Sequence, residues 1–206
     1  MTDQPIVYLL DDEPEMVKAL TRLLRARGFQ VLGFTSAREF LAHERQPGPA
    51  CLVLDVAMPG IDGLQVQERL RRSGSELPVV FLTGRGDIPM SVRAMKAGAE
   101  DFLTKPVGAA DLLRAVRAAL RRVSDRQAER DELAALQERL VCLTPREREV
   151  LGHVIAGKMN KQIAADLGTG DQNIKVHRGR LMRKMGVRSV AELVWMAERL
   201  GIPPAT

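Results

Sequence analysis

At 206 residues, with 45% hydrophobic and 28% charged side chains, the chain is long enough for one large domain or two modest ones with separate cores. Aromatics at 3% exclude a stacking platform for single-stranded nucleic acid, and no stretch approaches the roughly 18 uninterrupted apolar residues of a membrane span. The net charge of +5 is unevenly spread, with 17 Lys/Arg against 15 Asp/Glu over residues 1–122, 3 against 5 over 123–142, and 11 against 6 over 143–206. The opening MTDQPIVYLLDDE has no basic n-region, so it is not a signal peptide, and the expected location is the cytoplasm. Short apolar runs then alternate with amphipathic stretches. Residues 6–10, 30–33, 51–54, 79–82 and 101–104 read as strands; 14–27, 36–44, 63–72, 88–98 and 108–122 read as helices. Such alternation makes a parallel, doubly wound α/β sheet. The first, third and fourth runs are almost wholly apolar, as central strands covered on both faces are. Cys51 and Cys142, far apart and without metal-ligand spacing, read as two reduced packing cysteines.

Residues 124–140 contain no Pro or Gly and carry Leu133, Leu136 and Leu140 at helical spacing. They read as a linker helix, either separate or continuous with the fifth helix. Its apolar seam packs either on a second copy or back on its own chain. Thr144, Pro145 and Glu147 then agree on a helix start: a capping hydroxyl, a first-turn proline and the third-position acid of a capping box. Short helices follow near 145–156, 160–167, 171–185 and 189–200, with Gly157, Gly168 and Gly186 between them. The basic charge concentrates here, the footprint of a phosphate-backbone binder. The expected division is therefore 1–122, a linker at 123–142, and 143–206.

In a doubly wound sheet, ligands and chemistry gather at the carboxyl ends of the strands. Asp11, Asp12 and Glu13 follow the first strand, Asp55 the third, Thr83 the fourth, and Lys105-Pro106 the fifth. Clustered carboxylates repel unless a cation binds or a proton is shared, and an all-oxygen set suits Mg²⁺. A carboxylate also accepts a phosphoryl group as a mixed anhydride, with a metal, a lysine and a hydroxyl to take up the new charge. This arrangement resembles the receiver domain of response regulators across residues 5–122. The stretch 83–90 (TGRGDIPM) followed by 94–99 (AMKAGA) is most similar to the FixJ branch. The resemblance implies that Asp55 is the phospho-acceptor and that Asp11, Asp12, Asp55 and the Ala57 carbonyl hold Mg²⁺. It further implies that Thr83 is the switch hydroxyl, Phe102 the switch aromatic, and Lys105 the phosphate-contacting amine before a cis peptide at Pro106. Phe102 stands where the family often has Tyr, leaving no hydroxyl to bond when the ring turns inward.

Residues 143–200 resemble the LuxR-type helix-turn-helix of the NarL/FixJ regulators. The match rests on LTPREREVL at 143–151, Gly157, NKQIA at 160–164, IKVHR at 174–178 and KMGV at 184–187. Ile174, His177/Arg178, Leu181 and Met185 mark a packed face of the third helix, with His177 as a packing residue. Gln172, Lys175, Val176, Gly179 and Arg183 mark the opposite one. A major-groove helix reads bases with such a face, so Lys175 and Val176 are the expected base readers. Lys161, Arg178, Arg180 and Lys184 suit phosphate contacts. The chain departs from the family at Thr169-Gly170-Asp171, where a Ser usually caps this helix, and at Asn173 and Gly179. Thr169 or Asp171 is expected to cap instead.

Together the resemblances imply a two-component response regulator. A sensor histidine kinase phosphorylates Asp55, and the change controls dimerisation and binding to promoter DNA, where the protein acts on the transcription machinery. It is not an enzyme beyond slow self-dephosphorylation. A phosphatase using the same pocket would need an insertion to cover its substrate, and none is present in the sequence. A protein-binding adaptor with a degenerate helix-turn-helix would bind DNA weakly even when phosphorylated.

Overall fold

The computed structural model describes residues 4–84 and 88–205, with backbone alone for 88–91. Residues 85–87 of the FixJ-like stretch lie outside the described residues, as do 1–3 and 206. In chain order the elements of the first half are β1 (Ile6–Leu10), α1 (Pro14–Arg25), β2 (Gln30–Phe34), α2 (Ala37–Ala42), β3 (Ala50–Asp55), α3 (Gly63–Arg72), β4 (Val79–Thr83), α4 (Ile88–Lys96), β5 (Asp101–Thr104) and α5 (Ala109–Val141). All strand pairings are parallel, in the order β2-β1-β3-β4-β5. The order reverses direction between β1 and β3, which places the crevice for ligands there.

Period-2 alternation divides the strand residues between two cores. Tyr8, Leu10, Leu52, Leu54 and Phe81 face a cluster that includes Phe40, Val66 and Leu70. Val7, Leu9, Cys51, Val53, Val80 and Leu82 face one closed by Leu20 and Leu24 of α1 and Leu112, Val116 and Ala119 of α5. Each such side chain contributes about 1.5–3 kcal/mol when fully buried. This covering of both faces explains why the central strands read as continuous apolar runs.

The chain divides into two compact units, 1–126 and 127–206. α5 continues unbroken through the stretch expected as a linker, because nothing from Ala109 to Val141 is Gly or Pro. In the second unit it is followed by α6 (Pro145–Ile155), α7 (Asn160–Asp166), α8 (Asp171–Met185) and α9 (Val190–Arg199). Val150, Leu151, Val154, Ile163, Ile174, Leu181, Met185 and Leu193 form their common core, and Leu140 packs against it. The seam therefore folds back on its own chain at Leu140. Arg139 Nη1 donates to the Met185 carbonyl at 3.1 Å, and Arg199 pairs with Glu132 at 3.1 Å. Cys51 is buried as expected, its thiol pushed up to about 12 by burial; Cys142 is exposed and is no packing residue.

Candidate functional site

The carboxyl ends of β1, β3, β4 and β5 bring the expected pocket together. Asp11 is fully buried, and Asp55 and Thr83 are each 3% exposed. Lys105 Nζ lies 2.7 Å from Asp11 Oδ2 and 3.1 Å from Asp55 Oδ2. The Lys105 backbone N–H donates to the Thr83 carbonyl at 2.6 Å, tying the end of β5 to that of β4. Asp11 Oδ1 accepts from the Glu13 N–H at 3.0 Å. The Lys105–Pro106 peptide is cis, as the resemblance implied.

Burial pushes the Asp55 carboxyl above its ordinary range; the Lys105 hydrogen bond pulls against this, and the neighbouring Asp11 charge adds to the push. Burial also works against the charge of Lys105, but its hydrogen bonds to Asp11 and Asp55 outweigh it and hold the ammonium above its usual value. One ammonium thus serves two buried carboxylates. Asp55 Oδ1, buried, accepts no hydrogen bond from the described residues. Carboxylate oxygens of Asp11, Asp12 and Asp55 lie within 4.8 Å of one another. An all-oxygen donor set with an unsatisfied buried oxygen fits a hard divalent cation. Ala57 sits two residues beyond Asp55 and is exposed; Phe102 is half-buried, its ring 6.1 Å from Phe81.

Two positions that shape this pocket were missed by the sequence reading. A Cβ on Gly63 would lie 3.0 Å from Val56 Cα and closer still to the Asp55 carbonyl oxygen, so only glycine lets α3 start against the end of β3. Asp62 caps that start in a capping box with Gln65, and the Gly63 N–H donates to the Val56 carbonyl at 3.0 Å. The signal was Asp62-Gly63 itself, a cap followed by a residue without a side chain.

In the second unit, α7 and α8 form the helix-turn-helix, joined through Gly168 at φ +61° and Gly170. Ile174, Leu181 and Met185 are buried, and His177 is half-buried. Gln172, Lys175, Val176, Gly179 and Arg183 are exposed, as are Lys161 and Arg180. The cap differs from expectation. Gly170 occupies the cap position without a side-chain bond, and Thr169 Oγ1 accepts from the Asn173 amide at 3.2 Å instead. Asp171 opens the helix, where its charge suits the dipole.

Two of the expected phosphate ligands have internal partners. Arg178 donates to Asn160 Oδ1 at 3.0 Å. Lys184 Nζ lies 2.7 Å from Glu147 Oε2 and donates to the Cys142 carbonyl at 3.0 Å. Glu147 is 2% exposed and completes the capping box on Thr144, so Lys184 neutralises an acid that α6 needs at its start. The Lys184 hydrogen bond holds the Glu147 carboxyl down at about 2.

A parallel sheet with buried acids at one edge, followed by a helix-turn-helix with an exposed basic helix, defines a receiver joined to a DNA-binding domain. Residues 7–117 match the response regulator receiver domain, and residues 141–197 match the bacterial regulatory proteins of the luxR family. Nodulation protein W of Bradyrhizobium diazoefficiens is 46% identical over 197 residues, covering 96% of this chain and 87% of that protein. The transcriptional regulatory protein FixJ of Azorhizobium caulinodans is 40% identical, covering 97% and 94%. The solved structure of the response regulator StyR, 44% identical, superposes with a TM-score of 0.83 over 95% of this chain and 99% of that one. The chain belongs to the NarL/FixJ family of two-component response regulators, transcription factors rather than catalytic enzymes. No helix among the described residues is long and apolar enough to cross a membrane.

Proposed function

We propose that a sensor histidine kinase transfers its phosphoryl group to Asp55 and that this controls dimerisation and promoter binding. The observation that carries the reading is the pair of buried acids sharing Lys105, with Asp55 Oδ1 accepting no hydrogen bond from the described residues. An Asp55 oxygen attacks phosphorus as the P–N bond to the kinase imidazole breaks; the imidazole leaves, and the product is a mixed anhydride. Asp11, Asp12, Asp55 and the Ala57 carbonyl would hold Mg²⁺, which supplies positive charge against the phosphoryl oxygens. Lys105 takes a peripheral oxygen and Thr83 donates its hydroxyl. Phe102 turns inward behind Thr83, and the face around α4 and β5 changes. A phosphate can do this only by bonding differently to two existing states. Slow self-hydrolysis of the anhydride serves as a timer.

The working division is a receiver over 1–122, a linker over 123–142 and the DNA-binding domain over 143–206. Lys175 and Val176 read base edges, and Lys161, Arg178 and Arg180 contact phosphates. Lys184, engaged by Glu147, contributes least to DNA. The protein works in the cytoplasm, on promoter DNA beside the transcription machinery.

The test is mass spectrometry after treatment with a small-molecule phosphodonor and Mg²⁺. One phosphate is expected on the wild type and none on Asp55→Asn. Undiminished labelling of Asp55→Asn would overturn the assignment.

A further inference from the structure

The last turns of α5 belong to the second compact unit, which begins at residue 127, yet the luxR-family match begins only at residue 141. One stripe of these turns faces that unit. Glu132, Leu136, Arg139 and Leu140 recur at the i, i+4, i+7, i+8 spacing of a single helix face. Glu132 pairs with Arg199 of α9 at 3.1 Å, Leu136 is 4% exposed, and Leu140 packs against the common core. Arg139 reaches the C-terminal end of α8, the helix assigned to reading bases.

A helix ends with carbonyls that its own N–H groups cannot satisfy, and its negative end favours a cation. At the end of α8 the Val187 and Gly186 N–H groups take up the Met182 and Arg183 carbonyls at 3.0 and 3.2 Å. The Met185 carbonyl accepts from Arg139 Nη1 at 3.1 Å. The guanidinium lies against the left-handed turn that follows, where a Cβ on Gly186 would stand 3.1 Å from the same nitrogen. Lys184 closes the contact from the other side, donating to the Cys142 carbonyl at 3.0 Å. At the opposite end of α8, Gly170 supplies no side-chain cap. The orientation of α8 is thus fixed by its packed face and by this clamp at its C-terminus. We propose that Arg139, outside the stretch matched by the family, is a positioning residue for base reading. It holds α8 at the angle at which Lys175 and Val176 meet their bases, and so rests on the assignment of those two as base readers.

The experiment compares Arg139→Ala and Arg139→Lys with the wild type, all as full chains treated with phosphodonor. Duplexes selected from a random pool by the wild type supply the preferred sequence, and a scrambled copy supplies the control. Arg139→Ala should bind the preferred duplex about fivefold more weakly and the scrambled one as the wild type does, with the salt slope unchanged. In its NMR spectrum the Met185 carbonyl carbon should move upfield while that of Val150 stays in place. Arg139 is exposed, so the thermal midpoint should move by no more than about 4 °C. Arg139→Lys keeps a cationic donor at the helix end and should regain most of the preference. Equal loss on both duplexes, with a salt slope smaller by about one counterion, would make Arg139 a phosphate ligand and overturn the proposal. So would an unchanged preference or an unmoved Met185 carbon. Loss only alongside unfolding, in both variants, would leave Arg139 a structural residue and overturn it as well. A pool that yields no preferred duplex would overturn base reading by α8, and this proposal with it, an outcome distinct from the others.

Discussion

The pocket at the carboxyl ends of the strands and the exposed face of α8 are both charged, and they constrain their residues in opposite ways. In the pocket, Asp11 and Asp55 are buried and Lys105 is held between them, so each charge is defined by its neighbours. On α8, Lys175, Val176 and Arg180 face solvent and acquire their roles only from what they meet. A buried charge must find its partner within the fold, whereas an exposed one is free to find it elsewhere. Substitution should therefore disturb folding in the first region and recognition in the second.

The largest expected effect tests that difference at Lys105. Lys105→Ala leaves two buried carboxylates facing each other and should cost about 3 kcal/mol in urea unfolding without divalent cation. Mg²⁺ should return part of the loss, since carboxylates freed of the ammonium gain most from a cation. An unchanged midpoint would mean the three charges are not coupled.

A comparable effect should separate the two faces of α8. Ile174→Ala removes a fully buried side chain and should destabilise the second unit by about 2–5 kcal/mol. Val176→Ala, 44% exposed, should stay within about 0.5 kcal/mol by thermal melting. In DNA binding the order reverses between residues of the solvent face. Lys175→Ala should cost about 1–3 kcal/mol and relax preference at one base position. Arg180→Ala should weaken operator and scrambled DNA alike and reduce the salt slope by about one counterion. Sequence preference altered by Arg180→Ala, with uniform loss at Lys175→Ala, would shift the register of the reading face.

A third effect is a pH dependence inside the second unit, where a buried charge does occur. Glu147 is held at about 2 against an ordinary 4.5. A depressed acid stabilises the fold above its unfolded value, and that contribution disappears as pH falls from about 5 through about 2. Thermal melting of the wild type should therefore decline over this window, and Glu147→Gln should be lower at neutral pH and flatter below it. Parallel pH profiles would show that Lys184 does not stabilise Glu147.

The same contrast explains what was legible in the sequence. β1 and α8 begin and end where periodicity and punctuation put them: an apolar run before Asp11, Gly186 at a left-handed stop. The pocket was legible because strand ends in a doubly wound sheet must converge, so Asp11, Asp55, Thr83 and Lys105 could be placed together from spacing alone. The partner of Lys184 was not legible. Glu147 lies 37 residues away, and its burial depends on how α6 packs against α8. The cap of α8 misled because Thr169 and Asp171 both have capping side chains, yet Thr169 is taken up by Asn173. Cys142 follows an apolar run but is exposed, since the end of α5 contributes to the second core through Leu140.

The coupling between the two regions is tested most directly by capturing fragments of the source genome with full-length protein. Wild type treated with phosphodonor and Mg²⁺ should enrich a small, reproducible set of promoter-bearing fragments far above the untreated protein. Asp55→Asn, treated identically, should enrich no more than untreated wild type. Equal enrichment by treated Asp55→Asn and treated wild type would contradict control of DNA binding through Asp55.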